Sequence, residues 1–260
     1  MNDSGVSIEI KDYVATVTLN HPPVNAVGPI QMEAITAAFD AFSYRKDVRV
    51  AILTGAGKIF CAGADLKLRL NRLQNDDFQQ PGAKQHHSRA ARECFNAIME
   101  CTVPVIGAIN GPALGAGLVL AGCCDFLIAS ETAYFALPEI NVGLMGGGRM
   151  AQRMFGLYQA RYMMCTGEKI TAQEALGLRV VTKVVPAEQI QEAAQALAAS
   201  IAEKSPTASR FAKRAMSTIE YMTLRDGYRC EQEFTHELTD TPDAKEAALA
   251  FQEKRKAIYE

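Results

Sequence analysis

Three short stretches carry the residue types from which a catalytic site could be built. Ala62-Gly63-Ala64 and Gly115-Ala116-Gly117 each follow an apolar run, and Glu139 follows Pro138 in otherwise apolar surroundings. Small residues at a helix start leave backbone N–H groups unshielded, and such groups bind an anion or a developing oxyanion. A carboxyl group in apolar surroundings has a raised pKa, which suits a general acid or base. Together the stretches indicate an oxyanion hole beside a proton carrier.

Each stretch taken alone has a simpler structural explanation. Tight packing between a strand and a helix accounts for either small-residue loop, because small side chains let two backbones approach closely. Glu139 alone is equally consistent with a helix-end or ion-paired carboxylate. The catalytic interpretation therefore depends on the two loops and the acid lying together in the fold.

Motifs for several other kinds of site are incomplete. Gly115-Ala116-Gly117 has no third glycine for a dinucleotide fingerprint, and Gly57-Lys58 is followed by Ile59 rather than the Ser or Thr of a phosphate loop. His86-His87 falls in a polar stretch with no second pair at ligand spacing, which predicts a solvated loop and no metal site. No Ser or Cys has the context of a nucleophile elbow.

Composition excludes further classes of function. The 260 residues include 27 Lys and Arg against 29 Asp and Glu, a net charge of −2, so no electrostatic feature favours nucleic acid or an anionic membrane as a partner. The N-terminus lacks the features of a secretory signal, and no apolar run reaches the ~20 residues of a membrane span. Seven cysteines without framework spacing fit a reducing compartment, so we expect a cytoplasmic protein.

The elements that must position the three stretches follow from apolar periodicity and turn residues. Val6–Ile10 and Tyr13–Leu19 predict a hairpin, and the helical spacing after Pro29 predicts an amphipathic helix. The other predicted strands are Val48–Leu53, Val105–Ile109, Phe126–Ala129 and Val180–Val185. The other predicted helices cover 88–101 and 149–164, and two shorter ones begin at the 115–117 loop and after the capping box at Thr171. The polar residues 68–90 predict a variable loop or a lid over a pocket. This alternation predicts an α/β fold with a buried, mainly parallel sheet.

The last 75 or so residues show no strand pattern. Breaks at Ser205-Pro206, Asp226-Gly227 and Thr241-Pro242 divide them into four predicted helices. We therefore predict a core over residues 1–186 and a helical region over 187–260. The helices have more apolar positions than they can bury on themselves, which favours assembly through them; those positions include Leu197, Ile201, Phe211, Met216, Phe234 and Leu238.

Several of these motifs, in this order, resemble the crotonase family, the enoyl-CoA hydratase/isomerase superfamily. The matching stretches run along nearly the whole chain: Ala51–Lys67, Pro104–Asp125, Ala133–Gly143, Thr166–Leu178 and Ala250–Ala257. The resemblance implies a spiral of repeated β-β-α units followed by C-terminal helices that build homotrimers, often paired into hexamers. It also implies an acyl-CoA thioester substrate, as in lipid and fatty acid metabolism, with no metal and no redox cofactor.

The resemblance assigns roles to the same stretches. The oxyanion-hole N–H groups fall on Ala64 and Ala116, where many members have Gly in place of Ala116. The CoA groove falls on Ala62 and on the run Ala64-Asp65-Leu66-Lys67, with Lys254 or Lys256 in reach of the CoA phosphates. Arg149 departs from the family pattern, and a surface ion pair is the simplest role for it.

The carboxylates distinguish between reactions within the family. Hydratases use two glutamates; the second matches Glu139, but the first falls on Val119, which cannot move a proton. Gly147 matches the residue whose N–H holds the catalytic water of hydratases, and it joins Val119 in the implied acyl pocket. Some enoyl-CoA isomerases share an apolar first site and need only one base. The sequence therefore favours an isomerase, with a hydratase or hydratase-lyase using Glu139 alone as the alternative and a non-catalytic binding protein as the third hypothesis.

Overall fold

The computed structural model describes residues 4–65 and 80–259. Within these ranges the strands are β1 (Val6–Lys11), β2 (Val14–Leu19), β3 (Val50–Gly55), β4 (Val105–Ile109), β5 (Ala113–Leu114), β6 (Phe126–Ser130), β7 (Tyr134–Ala136), β8 (Ile170–Thr171) and β9 (Val181–Val185). The α-helices are α1 (Pro29–Phe42), α2 (Ala83–Glu100), α3 (Ala116–Cys123), α4 (Gly148–Phe155), α5 (Leu157–Thr166), α6 (Ala172–Gly177), α7 (Ile190–Ala202), α8 (Pro206–Ile219), α9 (Leu224–Thr239) and α10 (Pro242–Glu253), with short 3₁₀ helices at Pro138–Val142 and Ala187–Gln189.

The larger of two sheets has the strand order β1-β2-β3-β4-β6-β9. Only the β1–β2 hairpin is antiparallel, and the other four pairings are parallel. The apolar runs of β3 and β4 are buried along their whole length, as expected for strands covered on both faces. The predicted α/β class with a mainly parallel sheet is confirmed.

Helices cover both faces of this sheet. On one face, α1 packs through Met32, Ile35 and Phe39, the apolar residues whose helical spacing predicted it. On the other face, α7 packs against the sheet through Ile190, Ala194 and Ala198. The first helix of the predicted 187–260 region therefore completes the packing of the sheet, and the three helices after it extend beyond.

The smaller sheet, in the order β5-β7-β8, was not predicted. Its strands β5 and β8 have two residues each, too short for a periodic pattern. Strand β5 leads directly into α3, and β7 leads into the 3₁₀ helix that carries Glu139. Because β5 and β7 pair in parallel, both of these connections leave the sheet at the same edge.

Two predictions for the polar segment 68–90 are corrected. Helix α2 begins at Ala83, so residues 83–90 are helical rather than a loop, and His86-His87 lies in the first turns of that helix. The remainder of the predicted lid, up to residue 79, lies outside the described residues. In the described ranges, no group of three or more His, Cys, Asp or Glu side chains is placed to hold a metal ion.

Other predicted boundaries also move. The helix predicted over 149–164 is two helices, α4 and α5, because Gly156 between them adopts a positive φ of 80°. The break predicted at Asp226-Gly227 is wrong: these residues lie inside α9, whose N-cap is Thr223. Among the described helices, none is both long and apolar enough to cross a membrane.

Candidate active site

The start of α3 is held open by Gly115. This residue has φ +52°, a conformation that glycine adopts without the steric cost of a side chain. Its N–H donates to the carbonyl of Ala136 in β7 (3.0 Å), and its carbonyl accepts from Val119 N–H (3.1 Å). Ala116 is the first residue of the helix, and its N–H has no acceptor in the described part of the chain. A free N–H at the positive end of a helix dipole is a ready anion site.

A second free N–H lies on the loop after β3. Val27 N–H donates to Gly63 O (2.9 Å), and Asp65 N–H donates to Val27 O (3.1 Å). This pairing holds Ala64 in the bridge with Val27 while its own N–H finds no acceptor among residues 4–65 and 80–259. Hydrogen bonds at Gly63 and Asp65 therefore fix the loop on both sides of Ala64, whose N–H has no acceptor among the described residues.

The two predicted loops lie against each other. Cys61 and Ala113 form a parallel bridge in which Leu114 N–H donates to Cys61 O (2.9 Å). A Cβ added at Gly63 would lie 2.9 Å from Leu114 O and 3.6 Å from Ala116 N, so Gly63 of the first loop packs closely on the backbone of the second. The structure thus brings together Ala64 and Ala116, which are separated by 51 intervening residues in the sequence.

Glu139 lies at the same place, on the 3₁₀ helix that follows β7. Its carboxyl group packs directly on Gly115, where a Cβ would overlap Oε1. The other oxygen, Oε2, is buried and has no hydrogen-bond partner among the residues that the structure describes. Burial raises the pKa of the Glu139 carboxyl above its ordinary value of 4.5, as predicted from its apolar context. An unpaired buried carboxyl oxygen is uncommon in folded proteins and calls for a functional explanation.

Val119 and Gly147 meet beside Gly115, the residue on which this carboxyl packs. Val119 is 9% exposed, one turn into α3. Gly147 is the N-cap of α4 with φ +72°, and a Cβ there would lie 3.2 Å from Val119 Cγ2 and 2.8 Å from Leu137 Cδ2. Gly115, Val119, Leu137 and Gly147 therefore form a wall beside Glu139 that contains no ionisable side chain.

The remaining candidates are placed less centrally. Ala62 N–H donates to Val24 O (3.0 Å), which ties the first loop to the turn after β2. Asp65 ends the described part of that loop, and Leu66 and Lys67 of the predicted CoA groove lie outside it. Lys256 forms an exposed ion pair with Glu203 (3.2 Å).

Arg149 is exposed on α4, with its guanidinium carbon 5.4 Å from the centre of the Tyr221 ring. This is a cation–π contact on the protein surface, and the predicted surface ion pair of Arg149 stays a prediction.

Sequence reasoning missed two contributors. The first is Gly115, which supplies both a positive φ and the space that Glu139 occupies. The second is Leu137, whose side chain packs on Gly147. The signal for Leu137 was present, since an apolar residue directly before Pro138-Glu139 has to pack near the acid. No spacing rule indicated Gly115 as the contact of Glu139.

Two N–H groups without a described acceptor and one buried carboxyl group therefore lie on three segments that contact one another. A carbonyl oxygen that accepts from Ala64 and Ala116 would have its developing negative charge stabilised, and a carboxylate beside it could remove a proton from the adjacent carbon.

Nucleophilic catalysis by the Cys61 thiol is disfavoured, because burial raises the pKa of Cys61 to about 12 and keeps it protonated.

Comparison with known proteins gives a consistent assignment. The family model described as enoyl-CoA hydratase/isomerase matches residues 9–260. A mitochondrial enoyl-CoA hydratase from Pongo abelii is 34% identical over 250 residues, covering 95% of this chain and 83% of the relative. A Rhodococcus jostii hydrolase of a bicyclic carboxyl-CoA compound is 35% identical over 229 residues, covering 87% and 86%. The crystal structure of an enoyl-CoA hydratase from Bacillus anthracis superposes with a TM-score of 0.90 at 33% identity, covering 98% of both chains.

Proposed function

Because the chain belongs to the enoyl-CoA hydratase/isomerase family, we propose that it acts on an acyl-CoA thioester and moves the double bond of a 3-enoyl-CoA to the 2-position. The thioester carbonyl oxygen accepts hydrogen bonds from Ala64 and Ala116 N–H. The Glu139 carboxylate removes a proton from Cα, and the electron pair moves to give a dienolate whose charge rests on that oxygen. Glu139 then returns the proton at Cγ, which leaves the double bond conjugated with the carbonyl.

One observation carries the preference for isomerisation. The wall beside Glu139 consists of Gly115, Val119, Leu137 and Gly147, none of whose side chains can take or give a proton. Isomerisation needs a single base that removes and returns one proton, and Glu139 is sufficient for it. Hydration needs, in addition, a group that holds and deprotonates a water molecule.

The proposed reaction needs no metal and no redox cofactor. The thioester carbonyl accepts the electron pair, and the two backbone donors stabilise the resulting charge. The CoA portion is part of the substrate, and the loop that includes Ala62, Ala64 and Asp65 is the proposed contact for it.

Hydration is the second candidate, and the comparisons favour it. Both the relative from Pongo abelii and the Bacillus anthracis structure are named as enoyl-CoA hydratases. In that case Glu139 would have to direct the water alone, with Gly147 N–H as the proposed water contact. Hydration followed by bond cleavage is the related lyase reaction.

The test compares three substrates with the purified protein. Incubation with a 3-enoyl-CoA, a 2-enoyl-CoA and feruloyl-CoA is followed by absorbance of the conjugated thioester and by product mass. We expect 3-enoyl-CoA to gain the conjugated absorbance without a change in mass, faster than 2-enoyl-CoA gains one water. Efficient hydration without isomerisation would establish the second candidate, and shortening of feruloyl-CoA would establish the lyase.

We also propose that the enzyme assembles as a homotrimer or hexamer. Several large apolar side chains of the last three helices and the segments beside them are exposed in a single chain; they include Met216 at 65%, Leu224 at 92% and Phe251 at 86%. Apolar side chains with this exposure are typical of surfaces that a second copy covers.

A further inference from the structure

One face of α3 leads away from the proposed reaction centre along a neighbouring helix. Val119 and Gly122 are three residues apart and therefore lie on the same side of α3. Val119 meets Gly147 at the beginning of α4, and Gly122 meets Met150 and Met154 farther along α4. The seam between the two helices thus begins at the wall beside Glu139 and runs one helical turn away from it.

Methionine side chains fill this seam where α3 lacks a side chain. A Cβ at Gly122 would lie within 2.7 Å of the sulfur atoms of both Met150 and Met154, so these two tips occupy the space that a larger residue would take. Met164 on α5 packs on Gly148 at the start of α4 in the same way. Methionine is unbranched and flexible, and a surface built from it re-packs around different ligands.

The far end of the seam opens into free space. Arg153 donates to the carbonyl of Gly122 (2.7 Å) and forms an ion pair with Glu220 (2.6 Å). Beside this pair lies a cleft of about 340 Å³, whose lining includes Gly122, Met154 and Leu178. Met154 therefore contacts Gly122 on one side and borders this cleft on the other, and Met150 lies on the same glycine without lining the cleft.

We propose that the acyl chain of the substrate lies along the α3–α4 seam, and that Met150 and Met154 determine its length. The inference rests on the proposed function, which places the reacting carbons between Glu139 and Val119. A short acyl group ends at Val119, whereas a longer unbranched chain continues toward Gly122, displaces the Met150 tip and moves the Met154 tip toward the cleft that it lines.

Binding of saturated acyl-CoA thioesters tests this directly, because it involves no reaction. Dissociation constants are measured by calorimetry for butanoyl-, hexanoyl-, octanoyl- and decanoyl-CoA. Each methylene that becomes buried strengthens binding by up to about fourfold, so affinity rises with length as far as the seam accepts the chain. With Met150→Ala and Met154→Ala we expect decanoyl-CoA to bind about tenfold tighter than to the wild type, while butanoyl-CoA is unchanged.

One further variant should weaken the binding of long chains, and a control variant changes a methionine outside the seam. Gly122→Ala forces the methionine tips into the seam, so decanoyl-CoA is expected to bind about tenfold more weakly with no change for butanoyl-CoA. Met150→Leu and Met154→Leu keep the volume and serve if the alanine variants fold poorly, with a smaller shift expected in the same length-dependent manner. Met99→Ala is the control, since Met99 is also partly buried but packs on the core from α2.

The outcomes separate this inference from the proposed reaction. If the thioesters bind but Met150, Met154 and Gly122 variants show the same length profile as the wild type and Met99→Ala, the seam does not hold the chain and the inference is overturned. If none of the thioesters binds, the proposed function fails as well. A length profile that shifts as expected, in an enzyme that hydrates 2-enoyl-CoA, supports the inference and refutes only the isomerase assignment.

Discussion

The substitution Glu139→Gln isolates the proton carrier of the proposed reaction. Glutamine keeps the length and planarity of the side chain, so the contact with Gly115 is retained, but its amide does not accept and return a proton at neutral pH. The two oxyanion donors are backbone groups of Ala64 and Ala116, and the substitution leaves them in place. Chemistry and thioester binding are thereby separated in one variant.

The expected magnitude follows from the lack of a substitute base. The wall formed by Gly115, Val119, Leu137 and Gly147 has no group that could take over proton transfer. Loss of one positioned acid–base group costs about 10²- to 10⁴-fold in rate, or roughly 3 to 5 kcal/mol of transition-state stabilisation. We therefore expect kcat for 3-enoyl-CoA isomerisation to fall by at least about a hundredfold, while the dissociation constant of a saturated thioester changes by less than about threefold, because only the base is altered.

The assay follows the conjugated thioester by absorbance under saturating substrate, with Glu131→Gln as the control because Glu131 is an exposed carboxyl on the turn after β6. For the wild type, the rate should rise with pH as Glu139 ionises, with a midpoint above 4.5, because burial raises its pKa. Full activity of pure Glu139→Gln would show that the carboxyl is structural and would refute the mechanism.

Stability gives an independent readout of the same residue. The folded-state pKa of Glu139 lies above its unfolded value, so between these two pKa values the folded state binds more protons and stability falls as pH rises. Above both, the buried charge destabilises the folded protein. Denaturant unfolding should therefore find Glu139→Gln as stable as the wild type or more stable at pH 7, with this advantage lost as the pH falls through the raised folded-state pKa toward 4.5. The quantity to compare is the unfolding free energy of Glu139→Gln minus that of the wild type, at pH 7 and at pH 4. A smaller difference at pH 7 than at pH 4 would contradict the burial argument.

Four further predictions address the wall, the ligand, the assembly and the packing of the C-terminal helices. Val119→Glu should gain hydration of 2-enoyl-CoA, detected as product mass, because it adds a second carboxylate beside Glu139. The gain should be weak, since a carboxylate buried without partners stays partly protonated; no gain would mean that Val119 is not the missing second site. In a thermal-shift screen acyl-CoA should raise Tm while NAD and ATP should not, and the reverse pattern would contradict the ligand class. Light scattering at micromolar concentration should give the mass of a trimer or a multiple of it rather than that of a monomer. Lys213→Met should lower the free energy of unfolding by about 2 kcal/mol or more, because the buried Lys213 ammonium ion pairs with Asp125 at 2.9 Å and its removal leaves that carboxylate uncompensated; unchanged stability in denaturant titration would show that the pair contributes nothing.

The sheet could be predicted from sequence because its signals are local. Val105–Ile109 and Phe126–Ala129 are short, continuous apolar runs bounded by turn residues. Such runs are typical of strands whose two faces are both covered by other elements. The start of α3 was equally evident, since the small residues at 115–117 follow a strand. In these places local preference and the global fold agree.

The small sheet and the contact between Glu139 and Gly115 could not be predicted in this way. Two-residue strands such as β5 have no periodicity, and they exist because β7 pairs with them in the fold. The Gly115 N–H bond to Ala136 O fixes the distance from α3 to the Glu139 segment, and this is a tertiary contact with no sequence signature. The break at Asp226-Gly227 failed for the related reason that tertiary packing tolerates a glycine inside α9.

Charge movement in the proposed reaction connects the unpaired oxygen of Glu139 to the two free donors. Before the reaction, the negative charge lies on a carboxylate whose Oε2 has no partner, in surroundings that disfavour it. In the proposed reaction, proton abstraction transfers that charge to the thioester oxygen, where Ala64 and Ala116 N–H and the N-terminus of α3 would stabilise it. The site therefore favours the charge in the enolate over the charge in the base, and it does so without a second carboxylate. Hydration would require, in addition, that a water held at Gly147 N–H be deprotonated beside the apolar surface of Val119, where the side chains of the wall offer no second base.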